Sequence, residues 1–255
     1  MKFVCAILLA VCAASAQWIN YPAKGIPRLA SGKPNLTAPA PRQPNLAGTW
    51  AIPRVTLGEN GPPRYVTYLA ADLPPDSVPL KPAARELVRQ RLADFGKDIP
   101  FSRCLPAGLP MVMLFPAPLK IVENPGLTIM LYETNGAYRQ IFTDGRALPK
   151  DPVPTWLGYS VGRWEKGTFV VESAGFNART WIDAIGHPHG ERLHLTERYR
   201  RRDFGHLELQ LIIDDPDWYE KPWSVTVVFE LTPDNELIED VCLENERDAP
   251  HLVGR

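Results

Sequence analysis

His187, Pro188 and His189 set two imidazoles two residues apart. In an extended segment such a pair points to one side, and with His194 or Glu197 it could hold a metal ion with one position left open for water. The spacing matches no established ligand pattern. No cofactor is therefore assigned, and a metal at His187 and His189 stands as an alternative to a turn whose two rings bond to backbone or to Asp183. Without a metal, the same stretch offers acid–base chemistry, because an imidazole beside a carboxylate moves a proton and an arginine steadies an anionic or carbonyl oxygen. His187, His189, Asp144, Asp183 and Glu197 are the candidate catalytic groups. Arg146, Trp156, Tyr159, Trp164, Trp181 and Arg198 are candidate ligand-binding groups, since aromatic faces and guanidinium forks grip small molecules. Plainer readings remain open: an ion-pair network across turns, aromatics that cover a core, and a solvated arginine face with cross-strand partners such as Glu208.

These groups lie in or beside turns between runs of period-two alternation, the pattern of half-buried strands. Leu127, Ile129 and Leu131 alternate with Thr128, Met130 and Tyr132, and Leu193, Leu195 and Tyr199 alternate with His194, Thr196 and Arg198. Leu207, Leu209, Leu211 and Ile213 share a face, as do Val225, Val227, Phe229 and Leu231, and residues 236–242 are expected to form a last strand. Turn signals at Asn124-Pro125-Gly126, Asn135-Gly136 and Glu165-Lys166-Gly167 separate such runs. A meandering antiparallel sheet of this kind hides its edges by closing into a barrel or folding into a sandwich; the barrel is the favoured expectation, so the expected fold is mostly β, a closed barrel with one amphipathic helix before it. That helix is expected near residues 82–96, with Pro82 in its first turn, an apolar stripe through Ala84, Leu87, Val88, Leu92 and Phe95, and Gly96 as its stop.

Residues 1–16, with Lys2, an apolar run and the small-residue end Ala14-Ser15-Ala16, read as a secretory signal cleaved before Gln17. Residues 17–45 read as a proline-rich extended arm, and residues 46–255 as one barrel-like domain. Cys5 and Cys12 would leave with the signal, so the mature chain keeps Cys104 and Cys242. In an oxidising compartment the two are expected to bond, contributing on the order of 4 kcal/mol; the other reading is two buried thiols.

Gly48-Thr49-Trp50 resembles the Gly-x-Trp signature at the first strand of lipocalins, which implies a calycin-type barrel. A longer resemblance rests on Thr143-Asp144-Gly145-Arg146, on the run from Pro154 to Glu165, and on Gly175-Phe176-Asn177, Gly186-His187-Pro188-His189 and Thr196-Glu197-Arg198. This set is similar to a family of exported bacterial proteins with no assigned activity; it spans roughly residues 104–248 and implies a single domain without naming a catalytic role.

A net charge of -1 removes any broad basic field for nucleic acid, and no apolar run after the signal reaches the length of a transmembrane helix. The chain carries no phosphate-binding glycine loop, no Gly-x-Ser-x-Gly elbow and no Cys-x-x-Cys pair, which sets aside the corresponding hydrolase and thiol-exchange chemistries. Three functions follow in order: a periplasmic or extracellular barrel that binds a small, partly apolar molecule; a lyase, isomerase or hydrolase working through the histidine and carboxylate groups; and an envelope structural or interaction protein that uses its arm.

Overall fold

The computed structural model describes residues 22–53, 77–242 and 244, together with the backbone of two short strands between them. The expected signal at residues 1–16 and the start of the arm lie outside the described residues. In chain order the strands are β1 (Gly48–Ala51), β2 (Val55–Thr56), β3 (Pro63–Arg64), β4 (Leu119–Asn124), β5 (Leu127–Tyr132), β6 (Tyr138–Phe142), β7 (Tyr159–Glu165), β8 (Thr168–Ala174), β9 (His194–Arg201), β10 (His206–Asp214) and β11 (Trp223–Leu231). β2 and β3 pair only with each other, and the other nine close a barrel in which β4 to β11 follow one another and β1 fills the gap between β11 and β4. Trp50 of β1 faces Leu231 on one side and Leu119 on the other, so no edge is left open there.

Alternation decides what points inward. Leu207, Leu209, Leu211 and Ile213 of β10 are all but fully buried, each contributing roughly 1.5–3 kcal/mol by leaving water. On β5 the inward set is Thr128, Met130 and Tyr132, which puts polar atoms into the interior. The hairpin between β7 and β8 turns on Lys166 (φ 47°) and Gly167 (φ 84°), both in the left-handed region that a tight hairpin matching strand twist requires. Trp50 is fully buried; its Nε1 donates to Leu46 O at 2.8 Å and the Arg201 guanidinium stacks 5.0 Å from its ring.

Three features depart from the sequence expectation. β6 and β7 pair in parallel, Ile141 opposite Ser160, because residues 143–158 are too long and too proline-rich for a hairpin and instead run back along the barrel. Residues 236–242 form no strand: β1 already occupies the free side of β11. The helix, α1 (Pro82–Ala93), buries only Ala84 and Val88, while Phe95, at φ 54°, has left the helix and is 98% exposed.

The barrel therefore has two unlike ends. At the base, tight turns join β4 to β5, β7 to β8 and β9 to β10, and residues 22–47 cross beneath them. At the mouth lie α1, residues 100–118, and the long connections 175–193 and 215–222. Met111, Val112, Met113 and Leu114 form a 3-10 turn that is wholly buried in the mouth. Cys104, at the start of that segment, lies at disulfide distance from Cys242 of the C-terminal tail, Cα to Cα 5.6 Å. Among the described residues, no helix is long and apolar enough to cross a membrane.

Candidate functional site

The connection 175–193 is organised by one carboxylate. Asp183, fully buried, accepts the backbone N–H groups of Gly186 (3.2 Å) and His187 (3.3 Å), and both of its oxygens lie 2.9 Å from His187 Nδ1. Asp183 therefore shapes the turn and fixes the ring together, holding the proton on Nδ1 and leaving Nε2 as the acceptor nitrogen. Trp223 sits beside it, ring centres 6.0 Å apart, and Trp223 Nε1 is a buried donor with no acceptor among the described residues. α1 holds this turn from outside: Arg91 donates to Gly186 O at 2.6 Å and stacks 4.3 Å from the Trp181 ring. Burial pushes Arg91 down to about 10, opposed by Tyr219 and Asp98. From below, Tyr219 donates to Pro188 O at 2.8 Å and Gly190 N donates to Asp215 at 2.6 Å.

His189 is committed differently. Its Nδ1 donates to Gly190 O (3.1 Å), so Nε2 accepts from the Thr180 hydroxyl (2.7 Å). Burial lowers its pKa, the Gly190 bond and Asp215 acting the other way. The two histidines thus have separate partners, and among the described residues no three His, Cys, Asp or Glu side chains are grouped to hold a metal.

Glu197 lies elsewhere, inside the barrel, because it shares the inward face of β9 with Leu195 and Tyr199. It meets Arg139 of β6 in a bidentate pair at 2.8 and 2.7 Å, and both side chains are at most 1% exposed. Arg139 also donates to Ser160 Oγ (3.0 Å) and Ser173 Oγ (2.7 Å), and Tyr199 donates to Glu197 (2.7 Å). Burial pulls Arg139 down, but the charge and hydrogen bonds of Glu197 outweigh it and hold the guanidinium charged. Tyr132 beside them is pushed up to about 12 by burial, and Tyr199 is raised well above its ordinary value by burial and Glu197. Met113 closes over the cluster, its sulfur 3.5 Å from the Tyr199 hydroxyl. Sequence reasoning missed Arg139; the available signal was the alternation of β6, which puts Arg139 on the same face as Ile141.

Asp144 and Arg146 form an exposed pair at 2.5 Å, with Arg146 donating to the Tyr159 hydroxyl (3.1 Å) and stacking 4.0 Å from Phe142. Hydrogen bonds from Arg146 lower the Asp144 pKa. The candidate catalytic set is therefore split four ways: Asp183 with His187, His189 with Thr180 and Gly190, Glu197 with Arg139, and Asp144 with Arg146. Arg198 lies on the outer wall, 3.7 Å from Glu165, whereas Trp164 shares the inward face with its cross-strand partner Phe169 at the base end of β7 and is 38% exposed there. Trp181 is buried beneath Arg91.

Trp156 lines open space at the mouth. With Leu157, Pro106, Val112, Ala137 and Tyr138 it walls a cavity of about 260 Å³ at the mouth. Gly108, also in the wall, has φ 73°, and a Cβ there would come within 2.5 Å of Thr180 Oγ1, so the segment can lie this close to the connection 175–193 only with glycine. Since Thr180 donates to His189, the histidine turn backs directly onto the cavity wall. Arg179 stacks 4.9 Å from Trp156. Fold and site together define a closed β-barrel with a partly plugged mouth and an apolar side cavity. No family model, curated protein or solved structure matches the chain.

Proposed function

We propose that this chain is an exported barrel protein that binds a small, partly apolar molecule at its mouth. The observation that carries the reading is the cavity of about 260 Å³ lined by Trp156, Leu157, Val112 and Tyr138. Its size lies just below the ~300–1,000 Å³ of pockets for drug-sized ligands, which suits a molecule of one or two rings. Trp156 supplies the flat apolar face, and Arg179 beside it supplies a cation for a polar group on the ligand. Export is supported by the signal-like residues 1–16 and by a cysteine pair at bonding distance, an arrangement that oxidising compartments favour. The test is a fluorescence titration with the uncharged probe N-phenyl-1-naphthylamine. Ala137→Trp, which fills the cavity from a half-buried position, should weaken binding about tenfold or more, equivalent to ~1.4 kcal/mol. Unchanged affinity in both Ala137→Trp and Trp156→Ala would place the probe elsewhere and remove the reading.

A second reading, proton transfer at the mouth, is favoured by one observation: His187 Nδ1 is held by Asp183 at 2.9 Å, leaving Nε2 free of partners among the described residues. Such a pair serves lyase, isomerase or hydrolase chemistry alike. Its test is a substrate screen in which His187→Gln abolishes any turnover while Asp144→Asn leaves it intact.

A further inference from the structure

We infer that the base of the barrel carries a second ligand site, distinct from the mouth, for a small molecule with an apolar body and an anionic group. The arm does not lie flat against the base. Between the two is a cavity of about 530 Å³, twice that of the mouth, walled by Lys24 and Ile26 of the arm and by Lys120, Arg201, Phe204 and Leu231 of the barrel. The walls are tied together on several sides. Phe204 N and Gly205 N donate to Ala38 O (2.8 Å) and Leu36 O (2.7 Å), Arg28 pairs with Asp234 at 2.6 Å, and Ala23 N donates to the same carboxylate at 3.0 Å. Gly205 lets the arm approach: a Cβ there would come within 2.4 Å of the Leu36 Cβ.

The chemistry comes from the charges. Lys120 is neutralised by an ion pair with Glu236. Lys24 and Arg201 are not: among the described residues no carboxylate lies within ion-pair distance of either. Arg201 is half-buried, and its hydrogen bonds go to neutral oxygens only, Phe204 O (3.0 and 2.5 Å) and Asn45 Oδ1 and O (3.0 and 3.4 Å). These four bonds leave one of the guanidinium's five N–H donors uncommitted. Asp203 and Glu123 act on Arg201 only through space; their hydrogen bonds go to His206 Nδ1 (2.7 Å) and Leu46 N (2.8 Å). They offset the burial of Arg201 from that distance alone, so an anion set against its uncommitted N–H would be the first charge in direct contact with it, and a carboxylate matches the guanidinium fork. Phe204 and Leu231 alongside supply the apolar contact for the rest of such a ligand.

The experiment is calorimetric titration of the full chain with 1-naphthoate and with its uncharged analogue 1-naphthalenemethanol. Naphthoate should bind at least about tenfold tighter than the alcohol, the difference expected for one charge-assisted contact. Lys24→Ala and Ala47→Phe, both at exposed positions, should each weaken naphthoate severalfold without loss of fold, and Arg201→Met should remove the preference for the acid. Ala137→Trp at the mouth should leave naphthoate binding unchanged, which separates this inference from the mouth reading. Equal affinity for acid and alcohol, no heat from naphthoate, or weakening by Ala137→Trp in place of Lys24→Ala and Ala47→Phe would each overturn it.

Discussion

Removing Arg139 tests how the barrel interior is held together. In Arg139→Met, Glu197 loses two charge-assisted bonds, at 2.8 and 2.7 Å, and keeps only the Tyr199 hydroxyl at 2.7 Å. Ser160 and Ser173 lose a donor but still bond each other at 3.0 Å, so they add little to the loss. Two bonds to a charged group at ~1.5–3 kcal/mol each give about 3–6 kcal/mol, consistent with the ~3–5 kcal/mol typical when one member of a buried pair is deleted. Glu197→Leu should cost a similar amount, because it strands the guanidinium instead. The double variant Arg139→Met with Glu197→Leu strands no charge, so it should be more stable than either single, with a coupling energy of at least ~2 kcal/mol. Urea unfolding followed by tryptophan fluorescence reads this directly: ~4 kcal/mol divided by a slope of ~2.5 kcal/mol per molar is a midpoint shift of about 1.6 M. Singles that lose less than ~1 kcal/mol, the range of an exposed pair, would refute a dry, fully bonded interior. A double variant that loses the sum of the two singles would refute the pairing itself.

Two further predictions concern the mouth and the tail. Burial lowers the His189 pKa below its ordinary value near 6.5, so just below 6.5 the unfolded chain binds more protons than the folded one. Its contribution to stability is therefore complete above about 6.5 and is lost as pH falls toward the folded pKa; thermal melts at pH 7.5 and 5.5 should show a drop that is smaller in His189→Gln, and identical drops would refute it. Cys104→Ser with Cys242→Ser opens a loop closed across a sequence separation of 138, which should lower stability by ~2–5 kcal/mol, read as a lower urea midpoint and as loss of the wild type's sensitivity to reductant.

Much of the fold is written locally in this chain. Leu207, Leu209, Leu211 and Ile213 fall on one face of β10 because side chains alternate along any strand, and Glu165-Lys166-Gly167 turns the chain because glycine accepts the left-handed region. Pro82 opens α1 and Gly96 follows its end for equally local reasons. The same alternation would have put Arg139 beside Ile141 and Glu197 beside Tyr199, yet it says nothing of which face turns inward or which strands meet.

Pairing between distant residues was decided only on folding. Arg139 and Glu197 are 58 residues apart, and Cys104 and Cys242 are 138 apart; each pair meets because the barrel closes with one register. His187 found Asp183, four residues away, through the turn that Asp183 itself builds, while Asp144 stayed outside with Arg146 because residues 143–158 run back along the barrel instead of turning. Local periodicity and turn residues thus determined the helix and most of the strands, and cysteine usage only which two residues could bond. Closure and register determined which polar groups share the buried interior, which share a turn, and where the two cavities lie, since those contacts exist only once every strand has its neighbour.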